Sequence, residues 1–267
     1  METQKSVQSV VRAITLLKCF SLEKRELSLA ELADLAQLNK STAHGIISTL
    51  KAQGLIDQNE KTLRYRLGLG ILELGETVLG SMNILDIAAP HLEKLSNQVG
   101  ETVMLGILDG TDVVYIYKHE TSQSMRIVTA VGARNPAYCT SLGKAMLAYL
   151  NPDQLQKHLP RVLTPKTENS IQNKPYLLNQ LSDIRINGYA YENGEAIEGL
   201  SCVGAPIFNN LGQVSYAISV AAPTMRFDSL KMSQVRVKLQ AVAAELSSAL
   251  GYRPKSHQTT HTQYTRR

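Results

Sequence analysis

The run Ser28-Leu-Ala-Glu-Leu-Ala-Asp-Leu-Ala36, then Gln37-Leu-Asn-Lys40, then Ser41-Thr-Ala-His-Gly-Ile-Ile-Ser-Thr-Leu-Lys-Ala-Gln-Gly54, reads as helix, turn and helix. Ser28 and Glu31 have the spacing of a capping box, in which hydroxyl and carboxylate each satisfy an orphan N–H at the helix start. The helix they open runs through Ala36 with Leu29, Leu32, Ala33 and Leu35 on its apolar side. A second helix is predicted from Ser41 or Thr42 to Ala52, its apolar side made by Ala43, Ile46, Ile47 and Leu50. Gly54 then supplies the left-handed residue with which helices commonly end.

Working outward, Val7, Val10, Val11, Ile14, Leu16 and Leu17 recur at helical spacing, so Val7 to Phe20 is predicted helical with Ser6 as its cap. Downstream, Leu55-Ile-Asp57 and Leu63-Arg-Tyr-Arg-Leu67 flank the polar tip Gln58-Asn-Glu-Lys61, the pattern of a hairpin. Three helices followed by a hairpin make a winged helix-turn-helix, assigned to residues 1–68. Leu69, Ile71, Leu72, Leu74 and Val78 suggest a linker helix over 69–82, although Gly70, Gly75 and Gly80 each weaken it by ~1 kcal/mol. These glycines follow no strand in GxGxxG order, which excludes a dinucleotide fingerprint.

Residues 83–250 change to mixed helix and strand. Helices are predicted at Ile84 to Val99, Ser141 to Leu150, Tyr176 to Ile186 and Ser229 to Leu250. Strands are predicted at Thr102 to Leu108, Val113 to His119, Met125 to Val131, Cys202 to Phe208 and Val214 to Ala221, with turns at Asp109-Gly110 and Asn209-Asn-Leu-Gly212. Helices arranged around hairpin-linked strands argue an α+β domain with an antiparallel sheet. The polar, basic tail 251–267 reads as disordered.

A length of 267 residues with 43% hydrophobic and 19% charged residues is ordinary globular composition, enough for one large domain or two smaller ones. No run approaches the ~18 apolar residues of a membrane span, and no secretory signal opens the chain, so the cytoplasm is the expected compartment. Cys19, Cys139 and Cys202 are odd in number and widely spaced, which disfavours a disulfide scaffold or a structural metal, and no cofactor is called for. Within the net charge of +5, residues 1–67 carry ten Lys/Arg against seven Asp/Glu, and 251–267 carry four against none. The middle is slightly acidic; basic ends suit a polyanion.

The residues resemble the isocitrate lyase regulator (IclR) family of bacterial transcription factors. The resemblance is carried by Ser6-Val-Gln-Ser-Val-Val-Arg-Ala13, Leu38-Asn-Lys-Ser-Thr-Ala-His44, Leu50-Lys-Ala-Gln-Gly54 and Tyr65-Arg-Leu-Gly68 in the first part. In the second, Asn135-Pro136, Thr140-Ser-Leu-Gly-Lys144, Glu198-Gly-Leu-Ser-Cys202 and Ala205-Pro-Ile-Phe208 carry it. It implies a winged helix-turn-helix joined by the linker helix to a GAF/PAS-like effector domain. It also implies a homodimer or dimer of dimers that binds double-stranded operator DNA and answers to a small organic acid. Arg134 to Thr140 and Pro223 to Phe227 look most like members that govern sugar-acid catabolism.

The helix after the turn is the one whose N-terminal residues reach base edges in the major groove, which here are Lys40, Ser41, Thr42 and His44. Lys61, Arg64 and Arg66 on the wing, and Arg12 on the first helix, are candidate backbone or minor-groove contacts. The plainer alternative makes Ser41 and Thr42 a mere helix cap. Gly45 stands where the family usually has Arg, removing one donor.

By resemblance, the N–H groups of Ser141 and Leu142 receive the effector carboxylate, with Glu192, Cys202 and Ser219 as further polar contacts. Each has a bland alternative: Cys202 as a buried apolar residue, and Glu192 as a solvated turn carboxylate with Glu195 or Glu198 in its place. Ser219 lies opposite to Ile218 and Val220 by strand alternation, so its role depends on which face is interior. Ser141-Leu-Gly-Lys144 is formally an S-x-x-K nucleophile motif without its usual companions, which leaves a Ser–Lys hydrolase, or a Cys139 or Cys202 thiol enzyme, as alternatives. A DNA-binding scaffold without ligand control is a third.

Overall fold

The computed structural model describes residues 6–21, 23–80, 83–120 and 129–253, and the chain divides into two compact units, 1–82 and 83–267. In the first unit, α1 (Gln8–Leu17), α2 (Leu29–Leu35) and α3 (Lys40–Ala52) enclose Leu16, Leu32, Ala33, Ala43, Ile47 and Leu50. The capping box forms as predicted: Glu31 N–H donates to the Ser28 hydroxyl and Ser28 N–H to the Glu31 carboxylate, at 3.3 and 2.7 Å. Ser6 does not cap α1. Val7 occupies the cap position with no side-chain hydrogen bond, and Val7, Val10, Val11 and Ile14 stand exposed. The helical spacing was right, but only the Leu16 side of α1 meets the core.

The wing pairs β1 (Ile56–Gln58) with β2 (Tyr65–Leu67), and Leu27 adds an antiparallel bridge to Tyr65 that hairpin signals alone did not reveal. Gly54 has φ +70°, as its position after α3 required. α4 (Leu69–Gly80) follows, anchored where Gly70 N–H donates to the Gly54 carbonyl at 3.0 Å. Helix forms despite three glycines, and Leu69, Leu72 and Leu74 are exposed along it.

In the second unit, α5 (Asn83–Val99) precedes β3 (Thr102–Asp109), β4 (Asp112–His119) and β5 (Arg134–Pro136). Then come α6 (Ser141–Leu147), α7 (Pro152–His158), α8 (Lys174–Asn187), β6 (Ala190–Asn193), β7 (Leu200–Phe208), β8 (Val214–Pro223) and α9 (Ser229–Ala249). The strands form one antiparallel sheet in the order β5-β4-β3-β8-β7-β6. β7 is buried at every residue but Phe208, because α6 and α9 both pack on it. β5, β6 and α7 lie outside the predicted elements, each being a strand of three or four residues or a short polar helix. Of the strand expected at Met125 to Val131, residues 125–128 lie outside the described residues and Thr129 to Val131 are not strand. The tail from 254 onward also lies outside them.

Gly204 lets α6 settle onto the sheet, and Gly143 lets it close against the turn at Ala137–Cys139. A Cβ on Gly204 would lie 2.6 Å from the Ser141 carbonyl, and one on Gly143 would lie 2.1 Å from the Ala137 carbonyl oxygen. Gly204→Ala is expected to destabilise this unit by about 1 to 3 kcal/mol, since backbone must move to admit the methyl group. Urea denaturation read by tyrosine fluorescence measures it; a loss under about 1 kcal/mol would show that α6 is free to shift.

Candidate functional site

α3 presents Lys40, Ser41, His44 and Gly45 to solvent and leaves Thr42 half-buried, while Ala43, Ile47 and Leu50 face the core. Its cap is neither Ser41 nor Thr42. The helix begins at Lys40, and Asn39 Oδ1 accepts the Thr42 N–H at 2.8 Å and the Ser41 hydroxyl at 2.9 Å. That corrects the start expected at Ser41 or Thr42, and it spends the Thr42 N–H inside the protein.

On the wing, Asn59 Oδ1 accepts the Lys61 and Thr62 N–H groups, which leaves the Lys61 side chain exposed at the tip. Arg64 and Arg66 are not free. Arg64 lies 2.8 Å from Glu31 of α2, and Arg66 lies 2.6 Å from Asp57 across the hairpin. The Glu31 carboxyl is lowered to about 2, first by the Ser28 N–H and hydroxyl and then by Arg64. The Arg66 hydrogen bond holds Asp57 below its ordinary value too. A phosphate must compete with carboxylates for both arginines, a contest sequence spacing could not show because the partners lie 33 and 9 positions away. Arg12 is exposed on α1.

In the second unit, Ser141, Leu142, Glu192, Cys202 and Ser219 all line one cavity of about 20 Å³. Strand register explains the convergence. Glu192 pairs with Cys202 and Cys202 with Ala221, while Gly204 pairs with Ser219 and Ser219 with Met104. Alternate residues of these strands therefore share the α6 side of the sheet. Glu192 is 2% exposed and is no turn carboxylate. Its Oε2 accepts the Glu195 N–H at 2.9 Å, and the Cys202 thiol donates to its carboxylate. Burial pushes the Glu192 carboxyl from the ordinary 4.5 up to about 7, against the opposing pull of those two donors.

Thr140, not Ser141, caps α6, its hydroxyl accepting the Gly143 N–H at 3.0 Å while its carbonyl takes the Lys144 N–H. That leaves the Ser141 and Leu142 N–H groups at the open end of the helix. Lys144 is not paired with Ser141. It is fully buried, and its Nζ donates to Glu195 at 2.6 Å and to Gln180 at 3.1 Å. An ammonium committed to a carboxylate cannot serve Ser141 as a base, so the geometry does not assemble the Ser–Lys pair. Burial raises the Cys139 thiol to about 12 and the Cys202 thiol well above its usual range, the reverse of an activated nucleophile.

The family model for the IclR helix-turn-helix domain matches residues 9–60, and that for the C-terminal domain of bacterial IclR transcriptional regulators matches residues 76–248. The chain belongs to the IclR family of transcriptional regulators. It is 36% identical to the HTH-type transcriptional regulator XynR of Escherichia coli K12, over 92% of this chain and 98% of that one. The Thermotoga maritima IclR structure matches with TM-score 0.76 and 33% identity, covering 92% of this chain and all of that one. An IclR homologue from Microbacterium hydrocarbonoxydans complexed with 4-hydroxybenzoate shares the fold at TM-score 0.78 and 20% identity, covering 91% of this chain and 98% of that one. This IclR protein thus pairs a helix-turn-helix DNA-binding domain with a C-terminal effector-binding domain.

Several contributors to this IclR cavity escaped the sequence reading. Asn135 and Tyr115 line it and hydrogen-bond to each other at 3.3 Å, and Thr140, Ala196 and Ile197 complete its wall. Asn135 and Thr140 stood inside the family motifs; Tyr115 and the 194–199 loop carried no signal of their own. Because Glu192 is protonated more easily folded than unfolded, its contribution to stability is full below pH ~4.5 and is lost as pH rises through about 7. Glu192→Gln removes that cost, so the variant is expected to exceed wild type by roughly 2 to 3 kcal/mol at pH 8 and to show little gain at pH 5. Denaturant titrations at both pH values check the sign; an equal difference at the two would show that Glu192 stays ionised.

Proposed function

We propose that this regulator reads operator DNA with the exposed side of α3 and binds a small organic acid in the cavity beside α6. The observation that carries the second half is convergence. Five residues drawn from three strands and a helix line one buried space, while the nearby ammonium of Lys144 is withheld from it by Glu195. The Ser141 and Leu142 N–H groups and the Ser219 hydroxyl supply donors to a carboxylate, and Met104 and Leu200 supply an apolar wall. The ligand class assigned in this reading is a 2-oxo acid or a sugar acid, whose carboxylate takes those donors. A space of about 20 Å³ holds little more than a water, so the 194–199 loop moves aside when an acid enters. No enzymatic step is assigned.

Lys40, Ser41, Thr42 and His44 are the base-edge and phosphate contacts in this reading, with Arg12 and Lys61 on phosphates, and Arg64 and Arg66 joining on exchange of their carboxylate partners. The exposed apolar residues of α1 and α4 suit a second copy of the chain. Two reading heads would then meet half-sites ~34 to 36 Å apart or a multiple of it. The domains run 1–68, 69–82 and 83–250, with 251–267 as a tail. Among the described residues no helix is long and apolar enough to cross a membrane; work in the cytoplasm follows from the proposed operator-reading role.

A Cβ at Gly45 meets nothing within 4 Å, so an arginine fits there. Gly45→Arg is expected to tighten general DNA binding and steepen the log K against log salt slope by about one, and Lys40→Ala to flatten it by about one. Fluorescence anisotropy at several salt concentrations measures both; unchanged slopes would remove α3 from the interface.

The acid-binding half is tested by thermal shift with glyoxylate, pyruvate, D-gluconate and 4-hydroxybenzoate, on wild type and on Ser141→Pro. Thr140 has φ −113° and ψ 146°, which tolerates a following proline, so the substitution deletes one N–H at little backbone cost. A ligand at a hundredfold excess over Kd stabilises by ~2.7 kcal/mol. The shift is expected in wild type and reduced in the variant; none with any acid would refute the site.

A further inference from the structure

We propose that an acid entering this cavity brings a proton with it, held by Glu192, so that the effector domain binds its carboxylate ligand more tightly as the pH falls. The inference rests on the acid-binding reading and adds the protonation state to it. Glu192 is buried on the wall that Ser141, Leu142 and Ser219 also line, so a ligand carboxylate seated on their N–H and hydroxyl donors lies beside Glu192 away from solvent. Two carboxylates in contact away from solvent do not both remain ionised.

The groups around Glu192 decide which one takes the proton. From the loop after β6, Glu195 presents its N–H; burial raises its own carboxyl above the ordinary value against the pull of the Lys144 ammonium at 2.6 Å, and that carboxyl is not part of the cavity wall. From α6, Lys144 attracts Glu192 but is spent on Glu195 and Gln180. From β7, Cys202 contributes a thiol; from β4 and the turn before α6, Tyr115 and Cys139 contribute a phenol and a second thiol, all kept neutral by burial. Among the described residues, then, no cation on the cavity wall is free to balance two negative charges. Glu192 is the group nearest to accepting a proton, since burial has already carried its carboxyl to about 7. The proton comes from solvent, forms an O–H bond on the Glu192 carboxylate and leaves one net charge in the cavity, that of the ligand.

The linkage has a definite sign. Below about pH 6 Glu192 is protonated before the acid arrives, and affinity is flat; above about 7 each bound acid must draw a proton from solvent, and Kd rises roughly tenfold per pH unit. The test is isothermal titration calorimetry of whichever of glyoxylate, pyruvate, D-gluconate and 4-hydroxybenzoate gives the largest thermal shift, at pH 8 in phosphate and in Tris. Their different ionisation heats count protons. Uptake of roughly one proton per acid is expected in wild type, and none in Glu192→Gln, whose affinity should not vary between pH 6 and 8. Binding without proton uptake in wild type, or equal uptake in the variant, would overturn the proposal and leave the acid site intact. Absence of binding by all four acids at both pH 6 and pH 8 would instead overturn the site itself. Should the variant not fold, wild-type protein labelled with 13C at the glutamate carboxyl gives the answer directly: the Glu192 resonance must titrate near 7 and move upward with acid bound, and an unmoved titration refutes the idea.

Discussion

A lysine ammonium with no exposure to water must be met by a negative charge, and in this protein Lys144 meets Glu195. Removing either partner of such a pair leaves an uncompensated charge in a low-dielectric interior, a loss of about 3 to 5 kcal/mol. The pair fixes more than its own two side chains. Glu195 sits on the 194–199 loop, its N–H holds the Glu192 carboxylate, and its carbonyl is bound by the Ser170 hydroxyl. Lys144 sits on α6, whose seat against β7 depends on Gly204. One ion pair therefore locks helix, loop and edge strand around the cavity, and Glu192 is left on the cavity wall without a cation of its own.

The same economy of charge governs the first unit. Its positive groups are sorted by what lies opposite them: Arg64 and Arg66 meet Glu31 and Asp57, whereas Lys40 and His44 project from a helix face with no acidic neighbour in its first turn. Exposed ion pairs are weak and exchange readily for phosphate; Arg64–Glu31 links the wing to α2, whereas Arg66–Asp57 lies within the hairpin. Glu31 does double duty, closing the capping box of α2 while holding Arg64. A change there disturbs helix start and wing together.

The two units put different demands on their helices. α3 must keep a polar face outward and an apolar face inward, which Ala43, Ile47 and Leu50 accomplish at helical spacing. α6 has no outward face at all; every residue from Ser141 to Leu147 is buried, Lys144 included. A helix that polar at one position and that buried throughout is tolerated only because a partner waits for its single charge.

The amino-acid pattern determined the helix-turn-helix and wing, the antiparallel α+β character of the second unit and most element positions, because periodicity, capping boxes and turn residues act over a few positions along the chain. The family resemblance also nominated Ser141, Leu142, Glu192, Cys202 and Ser219, which the structure brings to one cavity among other lining residues. The amino-acid pattern misassigned the cap of α1 and the start of α3, where neighbouring hydroxyls and amides compete for the same N–H groups and only backbone geometry chooses the winner. It read Lys144 as a possible companion of Ser141 and left Glu192 open between cavity and solvent. Those questions belong to tertiary structure: Lys144 and Glu195 lie 51 positions apart, and Glu192 is interior only because β6 pairs in register with β7. Charge pairing and desolvation depend on distances through space, which strand register and helix docking create and which linear spacing does not contain.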